Sequence, residues 1–204
     1  VLGFGPSGHG RSDVMAELAA QGLEEAGEGI DPEFAPDIAL GDGEVATGED
    51  WSLTAHWTPG HLGNHLCFSL GDAVLTGDLV MGWASSLVSP PDGDLTDFMA
   101  SCRRLRDMGA KVLHSGHGAP ITTPEARLDW LISHREGREA SILKALEAGP
   151  ATPEALAQAI YTDTSVALMP AAARNVLAHL IDLYGKQRVE PVGMLSQYAL
   201  FRLC

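Results

Sequence analysis

Three short segments of the chain each place a side chain with metal-binding chemistry beside a glycine. They are Thr58-Pro59-Gly60-His61, Thr76-Gly77-Asp78 and Ser115-Gly116-His117-Gly118. Imidazole nitrogen and carboxylate oxygen are ligands that zinc accepts readily, and glycine lets the backbone approach an ion closely. The three segments therefore predict a divalent-metal site suited to hydrolysis, with His61, Asp78 and His117 as its ligands.

Each of these segments follows an apolar, β-prone stretch, so the three side chains are expected at the ends of strands. The stretches cover residues 51–57, 73–75 and 111–114. Strand ends are rigid and fix the geometry of the ligands that follow them. We therefore expect the three side chains to converge, although they lie 17 and 39 residues apart in the chain.

The remaining pattern of the first 120 residues predicts an α/β arrangement. The expected elements are strands over 1–4 and 65–70, helices over 11–21 and 95–108, loop with short strands over 23–48, and a hairpin turn at Gly71-Asp72.

Beyond Pro120 the order of elements is typical of a winged helix, in which three helices are followed by a β-hairpin. The signals are helix starts at Thr123-Pro124 and Thr152-Pro153, a third helix over 170–184, and β-like runs over 188–192 and 197–203. We place the boundary near Gly137. This gives a first domain over 1–137 and a winged-helix-like domain over 138–204.

Composition narrows the class of partner. The formal net charge is −14, from 13 basic and 27 acidic residues. This balance disfavours nucleic acid, which is held by clustered Lys and Arg, although a local basic patch stays compatible with it. We expect a small-molecule substrate instead.

The chain also carries signals about its compartment. No apolar run approaches the roughly 20 residues of a membrane span, so no membrane contact is expected. Residues 1–4 do not open a signal peptide and are more typical of an interior strand, which suggests that chain precedes them. Three scattered cysteines, Cys67, Cys102 and Cys204, fit a reducing, cytoplasmic setting, with the first two as small core residues.

The three segments, in this order, resemble the metallo-β-lactamase-fold hydrolases, which carry a TPGH histidine, a GD aspartate and a GHG histidine. Residues 94–99, the Ser133-His134-Arg135-Glu136 segment with Arg138-Glu139, and the winged helix resemble the endoribonuclease-like and glyoxalase II-related branch. The resemblance implies an αββα sandwich followed by a winged helix. The family's HxHxDH motif is absent from this chain, so its first strands would be the missing part.

The resemblance also implies a role for each ligand. His61 would complete the imidazole set of a first metal, Asp78 would bridge two metals, and His117 would bind the second. Two zinc ions are the implied cofactor, and other divalent metals are compatible. A metal-bound hydroxide, positioned by Asp78 as the catalytic carboxylate, would attack an ester, thioester, lactone or related small substrate.

Several residues around these ligands are expected to shape the site. His65 is predicted to orient a ligand, and Trp83 and Ser85 to rim the pocket. His134 and Arg135 either face the site or pair with glutamates on the helix surface.

Two other functions stay open at this point. One is a metal-dependent endoribonuclease that grips RNA with the winged helix, although packing or a homodimer contact is favoured for that domain. The other is a non-catalytic fragment, if the chain truly starts at Val1.

Overall fold

The computed structural model describes residues 1–23 and 30–204, and its elements follow the predicted order. They are β1 (Leu2–Gly3), α1 (Asp13–Ala20), β2 (Ile38–Ala39), β3 (Val45–Thr47), β4 (Ser52–Trp57), β5 (Leu66–Leu70), β6 (Ala73–Gly77), α2 (Leu95–Asp107), β7 (Val112–Ser115), α3 (Pro124–Leu146), α4 (Pro153–Ile160), a 3₁₀ turn (Val166–Leu168), α5 (Met169–Gly185), β8 (Val189–Pro191) and β9 (Phe201–Leu203). The predicted loop over 23–48 holds β2 and β3, and its residues 24–29 lie outside the described residues.

The main sheet has five strands in the order β3-β4-β5-β6-β7. Neighbouring strands are antiparallel from β3 to β6, and β7 joins β6 in parallel. Leu70 pairs with Ala73 across Gly71-Asp72, which confirms the predicted hairpin. Strands β4, β6 and β7 consequently run in the same direction, so the segments that follow them leave the sheet at one edge.

Helix α2 packs on this sheet because its apolar residues recur at helical spacing. The shared buried cluster contains Leu95, Phe98, Cys102 and Leu105 of the helix together with Cys67, Val74 and Leu113 of the strands. Cys67 and Cys102 are fully buried, which confirms them as small core residues. Burial raises the pKa of both thiols to about 12.

The start of α2 is fixed by a cap and by a close backbone contact. The Asp94 side chain accepts hydrogen bonds from the backbone N–H groups of Thr96 and Asp97, at 2.8 and 3.4 Å. A Cβ at Gly60 would lie 2.3 Å from Cα of Phe98, and Gly60 has a φ of +137°. Glycine is therefore required for the turn before His61 to rest against the helix.

The second buried cluster belongs mainly to the winged helix and also takes in the N-terminal helix. It joins α3, α4, α5 and the β8–β9 hairpin, and Met15 and Leu18 of α1 are part of it. The two predicted domains thus share a core. The predicted boundary at Gly137 falls inside the continuous helix α3.

One stretch of the described residues, Val166–Gly185, is apolar and long enough at 20 residues to cross a membrane by length and composition. Arg174, Asn175, His179 and Asp182 interrupt it, so it is not one of the uninterrupted apolar runs by which a membrane span is predicted from sequence. Half of this window is buried within the protein, and α5 supplies Val176, Leu177, Leu180 and Ile181 to the second cluster. These are the properties of a core helix.

His179 lies on α5 and is 1% exposed. Neither of its ring nitrogens has a hydrogen-bond partner within the described part of the chain. Burial lowers its pKa to about 3, and the positive charge of Arg135 adds to the effect. The ring is consequently neutral in the folded protein and becomes protonated more readily once the chain unfolds.

This difference predicts acid sensitivity. An unfolded histidine has a pKa of about 6.5, so the unfolded state binds the extra proton between about pH 6.5 and 3. The contribution of His179 to stability is complete above pH 6.5 and falls by at most roughly 1.4 kcal/mol per pH unit below it. Urea unfolding at pH 7 and pH 5 should show a smaller loss of stability in His179→Leu than in the parent protein. Equal losses in the two proteins would contradict this account.

Candidate metal centre

A cavity of about 330 Å³ lies at the edge of the main sheet where β4, β6 and β7 end. His61, Asp78 and His117 all line it, and His65 lines it beside them. The structure therefore brings the three predicted ligands to one cavity. The reason is the common direction of the three strands, since each side chain follows the end of its own strand by a few residues.

The two carboxylate oxygens of Asp78 have different surroundings in this site. Its Oδ2 lies 3.6 Å from Nε2 of His117. Its Oδ1 is buried and has no hydrogen-bond partner among the residues that the structure describes. A buried carboxylate oxygen without a partner is costly, and a bound cation would remove that cost.

Gly116 leaves space for this carboxylate. A Cβ at position 116 would lie only 2.6 Å from Oδ1 of Asp78. The glycine of the Gly116-His117-Gly118 turn is thus needed for close approach rather than for an unusual φ. Any larger residue would have to displace the aspartate.

His61 has the hydrogen bond that a metal-binding histidine usually shows. Its Nδ1 lies 2.8 Å from the carbonyl oxygen of Leu87. A carbonyl only accepts hydrogen bonds, so Nδ1 must carry the proton. The lone pair of Nε2 is then available to bind a metal ion. Such a bond fixes both the tautomer and the orientation of the ring.

His65 lies beside His61 and is held in its neutral form. The two ring centroids are 6.5 Å apart, and Nδ1 of His65 is 3.0 Å from Oγ1 of the buried Thr58. Burial lowers the pKa of His65 to about 4, and the neighbouring His61 contributes to the lowering. A neutral, anchored imidazole at this position is compatible with the orienting role predicted for it.

The donor chemistry of the cavity fits part of a metal centre. Within residues 1–23 and 30–204, no group of three or more His, Cys, Asp or Glu side chains is arranged closely enough to hold an ion. The resemblance places further ligands in an HxHxDH motif that this chain does not contain. The roles of His61, Asp78 and His117 as ligands therefore stay predictions.

Sequence reasoning missed a second carboxylate in the cavity wall. Asp92 lies in the loop before α2 and is 7% exposed. Arg11 donates a hydrogen bond to its Oδ1, while Oδ2 is buried without a partner among the described residues. The signal was an aspartate in a Gly- and Pro-rich segment, which by pattern alone indicates only a loop.

Trp83, Ser85 and His134, which were predicted to surround the site, each lie in a different environment. Trp83 lines a neighbouring groove rather than this cavity. The backbone carbonyl of Ser85 accepts a hydrogen bond from Arg135. The ring of His134 stacks on Trp130, with centroids 4.9 Å apart and planes inclined by 15°. Neither Trp83 nor Ser85 lines the cavity of His61, Asp78 and His117, and their place at the rim of a substrate pocket stays a prediction.

Arg135 takes neither of the two positions that the sequence suggested. It is 2% exposed, and its guanidinium donates hydrogen bonds to the carbonyls of Ser85 and Ser86 at 2.9 and 2.8 Å. It also donates to Oδ1 of Asn175 on α5 at 2.9 Å. The side chain therefore connects α3 to the loop after Asp78 and to the winged helix.

Comparison with known proteins identifies the family. Residues 5–117, more than half of the chain, match the model of the metallo-beta-lactamase superfamily. The chain belongs to the metallo-beta-lactamase superfamily. Residues 152–194 match the beta-lactamase associated winged helix domain. The predicted family and the predicted fold class, including the terminal winged helix, are confirmed.

Individual relatives agree with this assignment. Over 111 residues the chain is 34% identical to an atrochrysone carboxyl ACP thioesterase from Aspergillus fumigatus, a match that spans 53% of this chain and 34% of the relative. A beta-lactamase-like protein 2 homolog from Drosophila melanogaster is 29% identical over 167 residues, or 78% of this chain and 56% of the relative. The chain therefore spans only part of the length of these relatives.

A solved structure from the superfamily shares the architecture. The metallo-beta-lactamase family protein from Thermus thermophilus superposes with a TM-score of 0.73 at 29% identity. The match covers 93% of this chain and 65% of that chain.

The contact between Gly116 and Asp78 predicts how the centre can be disturbed. If the site binds a divalent metal, the new methyl group in Gly116→Ala should displace the Asp78 carboxylate and weaken the affinity for added zinc by at least about 10-fold, a loss expected when a group supporting a metal ligand is altered. Gly137→Ala is the matched control, because a Cβ there meets nothing within 4 Å. It should leave zinc affinity unchanged and raise stability by about 0.5–1 kcal/mol. Competition titration with a chelator measures the affinity, and equal values for the two variants would contradict the prediction.

Proposed function

We propose that the protein is a metal-dependent hydrolase that acts on an ester, thioester, lactone or related small substrate. One observation carries the proposal: His61, Asp78 and His117 line a single cavity with an unpartnered carboxylate oxygen, among the residues that the structure describes. The chemistry that a divalent metal supplies at such a centre is Lewis-acid polarisation of the scissile carbonyl and activation of water at neutral pH.

The side chains of the cavity would each have a distinct task. His61, Asp78 and His117 would each supply one ligand to a centre whose other ligands come from the HxHxDH motif of the family, with two zinc ions as the expected metals. The carbonyl of Leu87 keeps the proton of His61 on Nδ1. His65, neutral and anchored to Thr58, would restrict the position of the His61 ring.

A thioester is the subclass that we favour among the small substrates. The similarity to a thioesterase supports this choice, although it covers only 34% of that relative. The net charge of −14 supports a substrate other than a polyanion. The proposal includes a cytoplasmic location for the protein and its association as a homodimer.

No specific observation favours the endoribonuclease alternative. Two basic side chains of the winged helix are engaged in ion pairs: Lys186 with Glu139 and Asp182, and Arg202 with Glu190. Paired cations contribute less to the dense basic surface that RNA binding needs. RNA binding that weakens steeply with salt would revive that alternative.

The central test is a set of three variants in the full protein. Asp78→Ala should abolish hydrolysis of acyl thioesters and reduce bound zinc, because it removes the carboxylate among the three predicted ligands. His65→Ala should lower metal affinity by only about 10–100-fold, as expected for a residue that supports a ligand. His56→Ala is the control, since His56 bonds Ser69 on the sheet and does not line the cavity.

Thioester turnover and zinc content would be measured for each variant. Turnover close to that of the parent protein in Asp78→Ala would refute the proposal. Cleavage of RNA or phosphodiesters without thioester hydrolysis would replace it with the nuclease.

A further inference from the structure

A groove lies beside the candidate metal centre and is lined by two tryptophans, one arginine, and small, apolar and hydroxyl side chains. Its volume is about 560 Å³, within the size range of small-molecule pockets. Trp83 and Trp130 line it with 71% and 47% of their surfaces exposed. The rest of the lining consists of Arg127 and of Gly82, Ala119, Pro120, Ile121, Thr122, Thr123 and Ala126. Large exposed indoles grouped in a groove are typical of a binding surface.

Part of the groove wall follows two of the candidate ligands, Asp78 and His117, closely in the chain. Trp83 follows Asp78 by five residues on the same loop. Its Cδ1 lies 3.2 Å from the place that a Cβ would occupy at Gly118, the residue after His117. Ala119, the next residue, is already part of the groove wall. A ligand in the groove is therefore adjacent to the metal cavity.

Arg127 holds the two sides of the groove together. Its guanidinium carbon lies 4.4 Å from the centroid of the Trp130 ring. It also donates hydrogen bonds to the carbonyls of Met81 and Ala84, which flank Trp83 in the loop. The loop and helix α3 are thus pinned to each other. A preformed groove costs less ordering when a ligand binds.

The charge of the groove differs from that of the chain. The protein carries 27 acidic residues, yet none of those that the structure describes lines the groove. Within the described part of the chain, Arg127 has no carboxylate partner. The groove therefore favours a neutral or anionic ligand over a cationic one.

We propose that this groove holds a planar aromatic, negatively charged acyl group of the substrate, with the scissile carbonyl directed to the cavity of His61, Asp78 and His117. The inference rests on the proposed hydrolase function. The exposed indole face of Trp83 can stack on a planar ring, and a flexible alkyl chain lacks the flat face that such stacking requires. The cationic Arg127 matches a charge on the ring.

Three free acids test the proposal, because each mimics the product and none needs hydrolysis to bind. Naphthalene-2,6-dicarboxylate is planar and anionic at both ends. Suberate has the same charge on a flexible alkyl chain, and 6-(aminomethyl)-2-naphthoate has the same ring with a distal cation. The dicarboxylate should bind at least about 10-fold more tightly than either of the others, a factor within the range of base–aromatic stacking energies.

The binding site would be read from the indole N–H resonances of the four tryptophans. On addition of naphthalene-2,6-dicarboxylate, the signals of Trp83 and Trp130 should shift, and those of Trp51 and Trp57 should not. Trp83→Ala should weaken binding by about 10-fold and Trp83→Phe much less, because the phenyl ring retains a stacking face. Trp51→Ala is the matched control, an exposed tryptophan that lies in no part of the groove. It should leave the affinity unchanged.

Arg127 has its own variant in the series. Arg127→Gln should reduce the preference for the dicarboxylate over the aminomethyl acid, and Arg127→Lys should retain most of it. A loss of the preference in both variants alike would show that Arg127 acts only by holding the loop, which would overturn its role in recognising charge.

The outcomes separate this inference from the proposed function. Equal or tighter binding of suberate, or an absence of shifts at Trp83 and Trp130, overturns the groove assignment even if thioesters are hydrolysed. Shifts confined to those two residues, in a protein that hydrolyses no ester or thioester, support the groove as a binding site and refute the hydrolase.

Discussion

The arrangement of the site depends on the hydrogen bonds that the buried guanidinium of Arg135 donates. The guanidinium lies between α3, the loop after Asp78 and helix α5, and it donates hydrogen bonds to two loop carbonyls and to Asn175. A buried charge is tolerated only when it is paired or hydrogen-bonded, and here the acceptors are dipoles rather than carboxylates. The cation also lies 5.2 Å from the centroid of the Phe98 ring on α2. Elements that are distant in sequence are therefore fixed around one side chain.

The same loop is held in an unfavourable backbone conformation. Ser86 has a φ of +60°, a left-handed value that non-glycine residues adopt at a cost of about 1 kcal/mol or more. Its hydroxyl donates to the carbonyl of Leu79 at 3.0 Å, and its own carbonyl accepts from Arg135 at 2.8 Å. These bonds offset the strain. The loop can then present the carbonyl of Leu87 to His61, which selects the tautomer with a free Nε2.

Local patterns were enough to predict the elements and the position of the candidate ligands. Glycine-flanked histidines and an aspartate after β-prone stretches mark strand ends, and the shared direction of the strands brings them to one edge. The partners of Arg135 were not predictable in this way, because they lie 40 to 50 residues away in the chain. Asp92 was missed for a related reason, since only the ion pair with Arg11, 81 residues distant, shows that it turns inward. Short-range periodicity predicts elements, whereas these contacts depend on which elements meet.

The bonds between the loop and α5 give the winged helix an influence on the cavity. Asn175 accepts from the backbone N–H of Val88, and Arg174 donates to the hydroxyl of Ser89, a residue of the cavity wall. One turn of a C-terminal helix thus forms the outer support of a wall in the N-terminal domain. A partner that rotated α5 against α3 would move that wall without touching a candidate metal ligand. The position of the winged helix therefore helps to determine the shape of the cavity that His61, Asp78 and His117 line.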